Sequence, residues 1–273
     1  MTDKNIKFED IPLKKPSYKT LEKKLNGFIN DLKQAKNAQE GLKVIRSLER
    51  YMDKIETQIT VISIRYSLNT QDKKIAKAQD AVDEMMPLVS NVINRWNKTL
   101  VNVPFRKELE NKLTPYYFKM IENSLKSFDE KIIPELIEIN KLSSQYDKIL
   151  GSAEIEFDGG KYNLSQMGKF AKSESRDVRR RASLASDDWF FEHEQEIGEI
   201  YSKLVLLRDT CAKKLGYKNF VELGYLSLGR VDYDAKMVKQ YRDQISREVV
   251  PVCQKLYHEQ AKRIGIPYNK MMT

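Results

Sequence analysis

Two histidines in this sequence begin the pattern of a zinc-binding helix, and neither completes it. His193 and His258 are each followed by a glutamate, in the strings FEHEQEIGEI and YHEQAK. A His-Glu-x-x-His helix has its second histidine four residues after the first, on the same helix face, with the glutamate placed to activate a zinc-bound water. Ile197 and Lys262 stand at those positions. The sequence therefore predicts that neither string is a zinc site of this kind.

Other catalytic arrangements are also poorly supported by the residue pattern. The two histidines could meet across helices, with Glu194 or Glu259 as a third zinc ligand, but no spacing favours that arrangement over two partly exposed helix-surface histidines. Cys211 lies on an apolar helix face, where a thiol is more often packed than nucleophilic. A Gly-x-Ser-x-Gly elbow and a phosphate-binding glycine loop are both missing from the sequence. These patterns assign no catalytic and no metal-ligating residue.

The segment KKLGYKNFVELGYLSLGRVDYD looks least like plain scaffold. Its glycines interrupt helical sequence beside Tyr225, Arg230 and Tyr233. An arginine and two phenols close to glycines suit a loop that donates hydrogen bonds to a peptide backbone or a carboxylate. We therefore predict that these three residues bind substrate. The alternative is a helix hairpin whose tyrosines pack and whose arginine caps a helix end.

The composition favours a helical globular protein of one or two domains. Of the 273 residues, 41% are hydrophobic and 32% are charged, with Gly 11 and Pro 8. The net charge of +9 raises the question of nucleic acid. Most lysines, however, alternate with acids. The one dense basic cluster, Arg176 to Arg181, is short and is followed by acidic sequence, whereas a nucleic-acid-binding surface would be an extended basic stripe. We expect no nucleic-acid partner.

The sequence also gives expectations about location. No apolar run approaches the roughly 18 residues that span a bilayer, and the first residues lack the apolar core of a signal peptide. Cys211 and Cys253 show no framework spacing, which favours reduced thiols. We expect a cytoplasmic protein without a membrane partner, and the sequence leaves its oligomeric state open.

Apolar residues recur at spacings of three and four along most of the chain, which predicts helices. The strings FRKELENKLTPYYFKMIENSLKSF and EKIIPELIEINKLSSQYDKILGSA read as further helices joined by short breaks. Short connections between such helices favour antiparallel neighbours, so the first half is expected to be a bundle-like array. We expect a kink at Pro87, a bend near Pro251, and Asp232 or Asp234 as the cap of the last helix.

One segment, AEIEFDGGKYNLSQM, alternates with a period of two instead. Ile155 and Phe157 alternate with glutamates, and Tyr162 and Leu164 alternate with polar residues beyond an Asp-Gly turn. Asp-Gly flanked by alternation is the strongest short-range hairpin signal. The predicted fold class is therefore mostly all-α, a multi-helix array with one small β-hairpin near residues 154–164.

Two of these segments, SAEIEFDGGKYNLSQMGKF and CAKKLGYKNFVELGYLSLGRVDYD, resemble the oligoendopeptidase F family of thimet-oligopeptidase-like zinc metallopeptidases. The resemblance runs in order over nearly the whole chain, including the acidic string WFFEHEQEIGEIYSKLVLLRD. It implies a mostly helical protein that cleaves short peptides in a deep channel between two lobes. It also implies a zinc ion held by a His-Glu-x-x-His helix and a further glutamate, with the motif's own glutamate as general base.

In that family the zinc helix lies beyond the position of Thr273, so the resemblance implies that this chain is an N-terminal portion, truncated relative to the channel fold. Residues 1–185 would form the N-terminal helical domain with the hairpin, and residues 186–273 would begin the catalytic domain. We expect this chain to bind no zinc and to be inactive alone, whereas the complete enzyme would bind zinc and oligopeptides. The alternative hypothesis is a non-catalytic helical scaffold that binds a peptide or a protein.

Overall fold

The computed structural model describes residues 7–271, which are mainly α-helical. Within that range the sheet structure is a single two-stranded antiparallel hairpin. The prediction of a mostly all-α fold with one small hairpin is therefore confirmed. The chain divides into two compact units, Met1–Gly229 and Arg230–Thr273.

Three long helices form the first core, namely α1 (Tyr18–Gln34), α2 (Ala38–Leu68) and α3 (Lys73–Val101). The apolar residues that recur at helical spacing are the ones buried between these helices. Asn37 and Asp72 cap α2 and α3, because their side-chain oxygens accept hydrogen bonds from backbone N–H groups of the first turn. Caps and periodicity together explain where these helices begin and how they pack.

The string FRKELENKLTPYYFKMIENSLKSF, which follows α3, forms two helices. α4 (Arg106–Lys112) ends before Thr114, and α5 (Pro115–Ser127) begins with proline at its first position. The side-chain oxygen of Thr114 accepts a hydrogen bond from the N–H of Tyr117 at 3.1 Å. Thr-Pro is an N-cap followed by an N1 proline, so the sequence carried a signal for this break. The sequence predicts helices joined by short breaks here, and the structure places the break at Leu113 and Thr114.

A long helix, α6 (Ile133–Gly151), leads into the hairpin strands β1 (Ile155–Phe157) and β2 (Gly160–Tyr162). The two strands pair with Ile155 opposite Tyr162 and Phe157 opposite Gly160. Asp158 and Gly159 form the two-residue turn with φ angles of +45° and +78°. Positive φ at both central positions is the signature of a type I′ turn, which Asp-Gly favours.

The hairpin is stabilised by the side chains that pack on it. The ring of Phe170 lies 4.7 Å from that of Phe157 and 4.9 Å from that of Tyr162, centroid to centroid. Arg181 donates from Nη1 to the Asp158 carboxylate at 2.7 Å, and its guanidinium lies 5.3 Å from the Phe157 ring centroid. A lone hairpin is marginal in water, so these contacts explain why it persists.

Four helices complete the first unit, namely α7 (Leu164–Met167), α8 (Arg176–Glu192), α9 (Glu194–Lys214) and α10 (Phe220–Ser227). The acidic string that reads as one continuous helix is interrupted at His193, where α8 ends and α9 begins. Gly216 follows the end of α9 with a φ of +88°, a left-handed conformation that commonly ends a helix.

The second unit contains α11 (Ala235–Gln244), a π-helical turn (Ile245–Val249) and α12 (Val250–Ile264). Asp234 is the cap of α11, because its side chain accepts a hydrogen bond from the N–H of Met237 at 2.8 Å. The π-helical turn ends two residues before the proline at position 251, which cannot donate an amide hydrogen to the preceding turn. The expected irregularity near this proline therefore takes the form of a π turn.

The two-part division expected near residue 185 stays a prediction. Residue 185 lies inside α8, whereas the compact units of the structure divide after Gly229. Among residues 7–271, no helix combines the length and apolar character needed to cross a membrane.

Candidate functional site

His193 lies at the junction of α8 and α9. Its Nδ1 is 2.8 Å from the carbonyl oxygen of Trp189, and its ring stacks on that indole with centroids 4.1 Å apart. A carbonyl oxygen can only accept a hydrogen bond, so Nδ1 carries the proton in this contact. The ring is therefore held by packing, and no second histidine follows it along α9.

His258 is an exposed residue of α12, and its ring stacks on Tyr268 with centroids 3.8 Å apart. Within residues 7–271, no group of three or more His, Cys, Asp or Glu side chains could hold a metal ion. These residues therefore do not fit a zinc ion, and no reaction step on zinc can be derived from them.

Cys211 is a packed thiol in the small apolar cluster formed with Ile132, Ala212 and Leu223. It is 2% exposed. Burial, with a smaller contribution from the charge of Glu135, raises the pKa of Cys211 to about 11. The nucleophilic thiolate is therefore scarce at neutral pH, which supports a packing role.

The segment predicted to bind substrate includes the helix α10, which hydrogen bonds to α5 hold in place. The buried Asn123 side chain of α5 donates to the carbonyl oxygen of Leu226 at 2.5 Å, and Tyr217 donates to the carbonyl oxygen of Lys126 at 3.0 Å. Leu223 of α10 is 2% exposed. Breaking the bond to Asn123 would leave a buried donor unsatisfied, so α10 has little freedom to shift.

Gly229 follows α10 and ends the first compact unit. Its φ is +66°, and its N–H donates to the carbonyl oxygen of Leu226 at 2.9 Å. A Cβ atom at this position would lie 2.8 Å from the Cε atom of Met120. The left-handed backbone favours glycine here, whereas the end of the flexible Met120 side chain could move aside, so the backbone conformation gives this position a structural role.

Arg230 and Tyr233 lie together at the start of the second unit. The guanidinium carbon of Arg230 is 5.8 Å from the centroid of the Tyr233 ring, which is within cation–π range. With Met237, Val238 and Tyr241 of α11 they line an open groove of about 470 Å³. The groove therefore combines a planar cation, phenol groups and apolar surface.

The structure brings together two of the three predicted site residues. Arg230 and Tyr233 share the groove, whereas Tyr225 is a half-buried residue of α10 in the other compact unit. Substrate binding by these three residues stays a prediction.

Sequence reasoning missed the α11 side of the groove. Val238 and Tyr241 recur at helical spacing, which predicts a helix with an apolar face, and Tyr241 is 64% exposed. Helical spacing identifies an apolar face without showing whether another element covers it. Met237, one turn before Tyr241, is the further signal that this face continues.

The groove has the chemistry of a peptide-binding surface. A guanidinium offers a planar fork of donors to a carboxylate or a carbonyl, which an ammonium group cannot match in geometry. Apolar and aromatic walls with a few polar groups are typical of small-ligand sites. The arrangement can therefore hold a peptide by one polar group and one apolar side chain, and it carries no group that could break a peptide bond.

Comparison with known proteins connects these features to peptidases. Residues 8–128 match the profile of the peptidase M3 N-terminal domain, in a family that consists generally of metallopeptidases. The solved structure of PZ peptidase A with an inhibitor is 37% identical, with a TM-score of 0.91, and the match covers 95% of this chain and 46% of that one. No curated protein matches the sequence significantly.

Two structures assigned to oligoendopeptidase F give the same result. One, from Bacillus anthracis str. Ames, is 36% identical with a TM-score of 0.91, and the match covers 96% of this chain and 49% of that one. The other is 35% identical with a TM-score of 0.92, and the match covers 96% of this chain and 46% of that one. The chain thus spans about half the length of each of these solved structures.

Proposed function

We propose, from the premise that this chain is an N-terminal portion of the oligoendopeptidase F family of M3 peptidases, that it forms one wall of a peptide channel. The complete enzyme would be a cytoplasmic zinc metalloendopeptidase that hydrolyses short oligopeptides. The ordered likeness to the solved structures and the groove at Arg230 support this proposal.

The observation that carries the proposal is the distribution of exposed apolar side chains. Among residues 7–271, four of the large apolar side chains that are exposed lie before residue 184: Ile64, Leu68, Tyr116 and Tyr146. All the others lie beyond residue 183, on α8 to α12, on their connections and, for Tyr268, in the segment after α12. Soluble proteins rarely leave such a concentration of apolar surface uncovered, which indicates a surface that another part of the protein covers.

The second unit shows the same property most clearly. Ala261 is its single buried residue within the described part of the chain. α12 carries Val252, Leu256, Tyr257 and Ile264 with about half of each side chain exposed, between 48% and 57%. A helical unit with so little of its own core requires packing from elsewhere to be stable. The half of the solved structures that this chain does not match is the candidate for that packing.

The division of roles follows from the chemistry present. Tyr225, Arg230 and Tyr233 would contribute hydrogen bonds and a positive charge to a bound peptide. The zinc ligands and the general base would come from the other half of the enzyme, since the described residues contain no fitting metal group. We therefore propose that these 273 residues are inactive by themselves.

A peptidase assay tests this division. A quenched fluorogenic oligopeptide is incubated with the purified chain and added zinc, in parallel with a chelator control. We expect no metal-dependent increase in fluorescence, and metal-dependent turnover would overturn the proposed inactivity. Sequencing the gene downstream of codon 273 is the complementary experiment, and we expect an in-frame His-Glu-x-x-His there.

A further inference from the structure

A groove between α1 and α2 is lined by four positively charged side chains. Its volume is about 780 Å³, and Lys24 of α1 faces Lys43, Arg50 and Lys54 of α2 across it. The three α2 residues are separated by seven and four positions, so they lie on one face of the helix. The charges therefore line the groove along its length rather than meeting at one point.

These cations have no ion pair with any residue in the range 7–271. The surface helices elsewhere do form such pairs, for example Lys213 with Asp209 at 2.5 Å and Lys141 with Glu84 at 2.7 Å. In the groove, Arg50 donates from Nη2 to the Ser47 hydroxyl at 3.3 Å, and Lys24 lies 5.0 Å from the Phe28 ring centroid. Their charges are consequently available to an anion that enters the groove.

The floor of the groove is apolar and aromatic. Phe28 and Tyr51 lie with ring centroids 5.9 Å apart, and Val44 lines the groove beside them. Phe28 is 7% exposed and belongs to the main core, so the floor is rigid. A ligand with an apolar group would bury it here while its charged groups reach the lysines and the arginine.

The length and the charge pattern of the groove indicate which class of ligand fits it. Lys43 and Lys54 are eleven residues apart, which is ~16 Å along a helix. An extended peptide of about five residues has the same length. Asp31 and Asp53 also line the groove, so a ligand with one negative charge at every unit would be repelled at those points. A peptide can place neutral residues there, whereas a nucleic-acid backbone cannot.

We propose that this groove binds an acidic peptide segment of about five residues through Lys24, Lys43, Arg50 and Lys54, with an apolar side chain on the Phe28–Tyr51 floor. The site is independent of the proposed peptidase function, because it lies wholly on α1 and α2 and requires no catalysis. It adds a second peptide-binding surface to the one at Arg230.

The test is fluorescence anisotropy with the 273-residue chain and a labelled peptide Glu-Glu-Leu-Glu-Glu. We expect saturable binding that weakens as salt is added. The triple variant K24A/R50A/K54A should bind about tenfold more weakly. The matched control K77A/K148A/K203A removes the same charge from exposed helix positions outside the groove, and we expect its affinity to change less than about twofold. Circular dichroism checks that both variants fold.

Two further probes test the ligand class. Replacing the central leucine of the peptide by serine should weaken binding several-fold, because the floor then loses its apolar partner. A single-stranded oligonucleotide of the same charge should bind more weakly than the peptide. Equal losses in the two triple variants, the absence of saturable peptide binding, no effect of the serine replacement, or tighter binding of the oligonucleotide would each overturn the proposal.

Discussion

At the scale of single residues, Asp83 shows a buried acid that the sequence did not reveal. It is 6% exposed, and its carboxylate accepts hydrogen bonds from Gln79 Nε2 at 2.8 Å and from Ser144 Oγ at 2.6 Å. Burial raises the pKa of Asp83; these two bonds lower it, and the charges of Asp80 and Asp147 raise it further. The net direction is upward, so the fold disfavours the charged form of this side chain.

This direction gives a pH-dependent prediction for Asp83→Asn. Because the folded-state pKa lies above the unfolded value, the native state is favoured below the ordinary carboxyl pKa and loses stability as pH rises through the raised pKa. Asparagine can accept from Gln79 and donate to Ser144 without a charge. We expect the free energy of unfolding of the variant to be higher at pH 7 by up to about 1 kcal/mol and to change less with pH than that of the unaltered chain. Urea unfolding at several pH values measures this, and the exposed Asp80→Asn is the control; a less stable Asp83→Asn variant would contradict the argument.

Arg230 is the residue on which the proposed substrate role can be tested directly. In the complete enzyme, Arg230→Ala should lower kcat/KM at least about tenfold, because the planar donor fork is lost, and Arg230→Lys should recover only part of it. Arg242→Ala, at an exposed arginine of α11, is the matched control and should keep its activity. Thermal unfolding is measured alongside. If Arg230→Ala unfolds at a lower temperature while activity per folded molecule is unchanged, this arginine has a packing role and does not bind substrate.

At the scale of elements, local rules predicted the hairpin and most helices. The Asp-Gly turn and the strand alternation gave the position of β1 and β2 because both signals are local. The helix breaks at Thr114 and His193 have different causes. Thr114 and Pro115 carried a local cap signal, whereas His193 ends α8 while its ring packs on Trp189, a contact that periodicity does not contain.

The difference between local sequence signals and contacts made only in the packed fold also explains how much of the site could be predicted. Arg230 and Tyr233 were identified from residue types within one short segment, and the structure places them together. The α1–α2 groove was not identified, because it depends on which helix faces meet. Asp83 was missed for the same reason, since its partner Ser144 comes from α6 and only the packed fold places it beside α3.

The turn of the hairpin gives an element-scale prediction. Gly159 has a φ of +78°, where a side chain is strained, so Gly159→Ala should lower the free energy of unfolding by about 1–2 kcal/mol. Gly27 lies inside α1, and a Cβ atom there would meet nothing within 4 Å. Gly27→Ala should therefore raise the free energy of unfolding by up to about 1 kcal/mol. A Cβ atom at Gly159 would also meet nothing within 4 Å, so the two positions differ in backbone conformation and not in space. Urea unfolding of the two variants measures both changes in stability, and changes of the same sign would contradict the argument.

At the scale of the whole molecule, the largest buried cluster and most of the exposed apolar side chains lie in different parts of the sequence. The largest buried cluster is formed by residues from Leu21 to Phe118. The exposed apolar side chains concentrate beyond residue 183. Single exposed apolar residues are normal on a soluble protein, but a concentration of them marks a contact surface. The part of the chain that matches the M3 N-terminal domain, residues 8–128, thus contains the largest of the buried clusters.

Hydrophobic dye binding tests whether the later surface is a contact surface. We expect the isolated chain to bind such a dye and to associate with itself in gel filtration, because α12 offers uncovered Val252 and Leu256. The double variant V252K/L256K should lose a large part of the dye fluorescence without loss of helix content, since both side chains are 56–57% exposed. Leu68→Lys is the control, because Leu68 is 74% exposed but lies outside this surface, and its dye signal should stay at the level of the unaltered chain. A dye-silent, monomeric chain would contradict the proposed packing against a missing half and would favour the stand-alone binding scaffold instead.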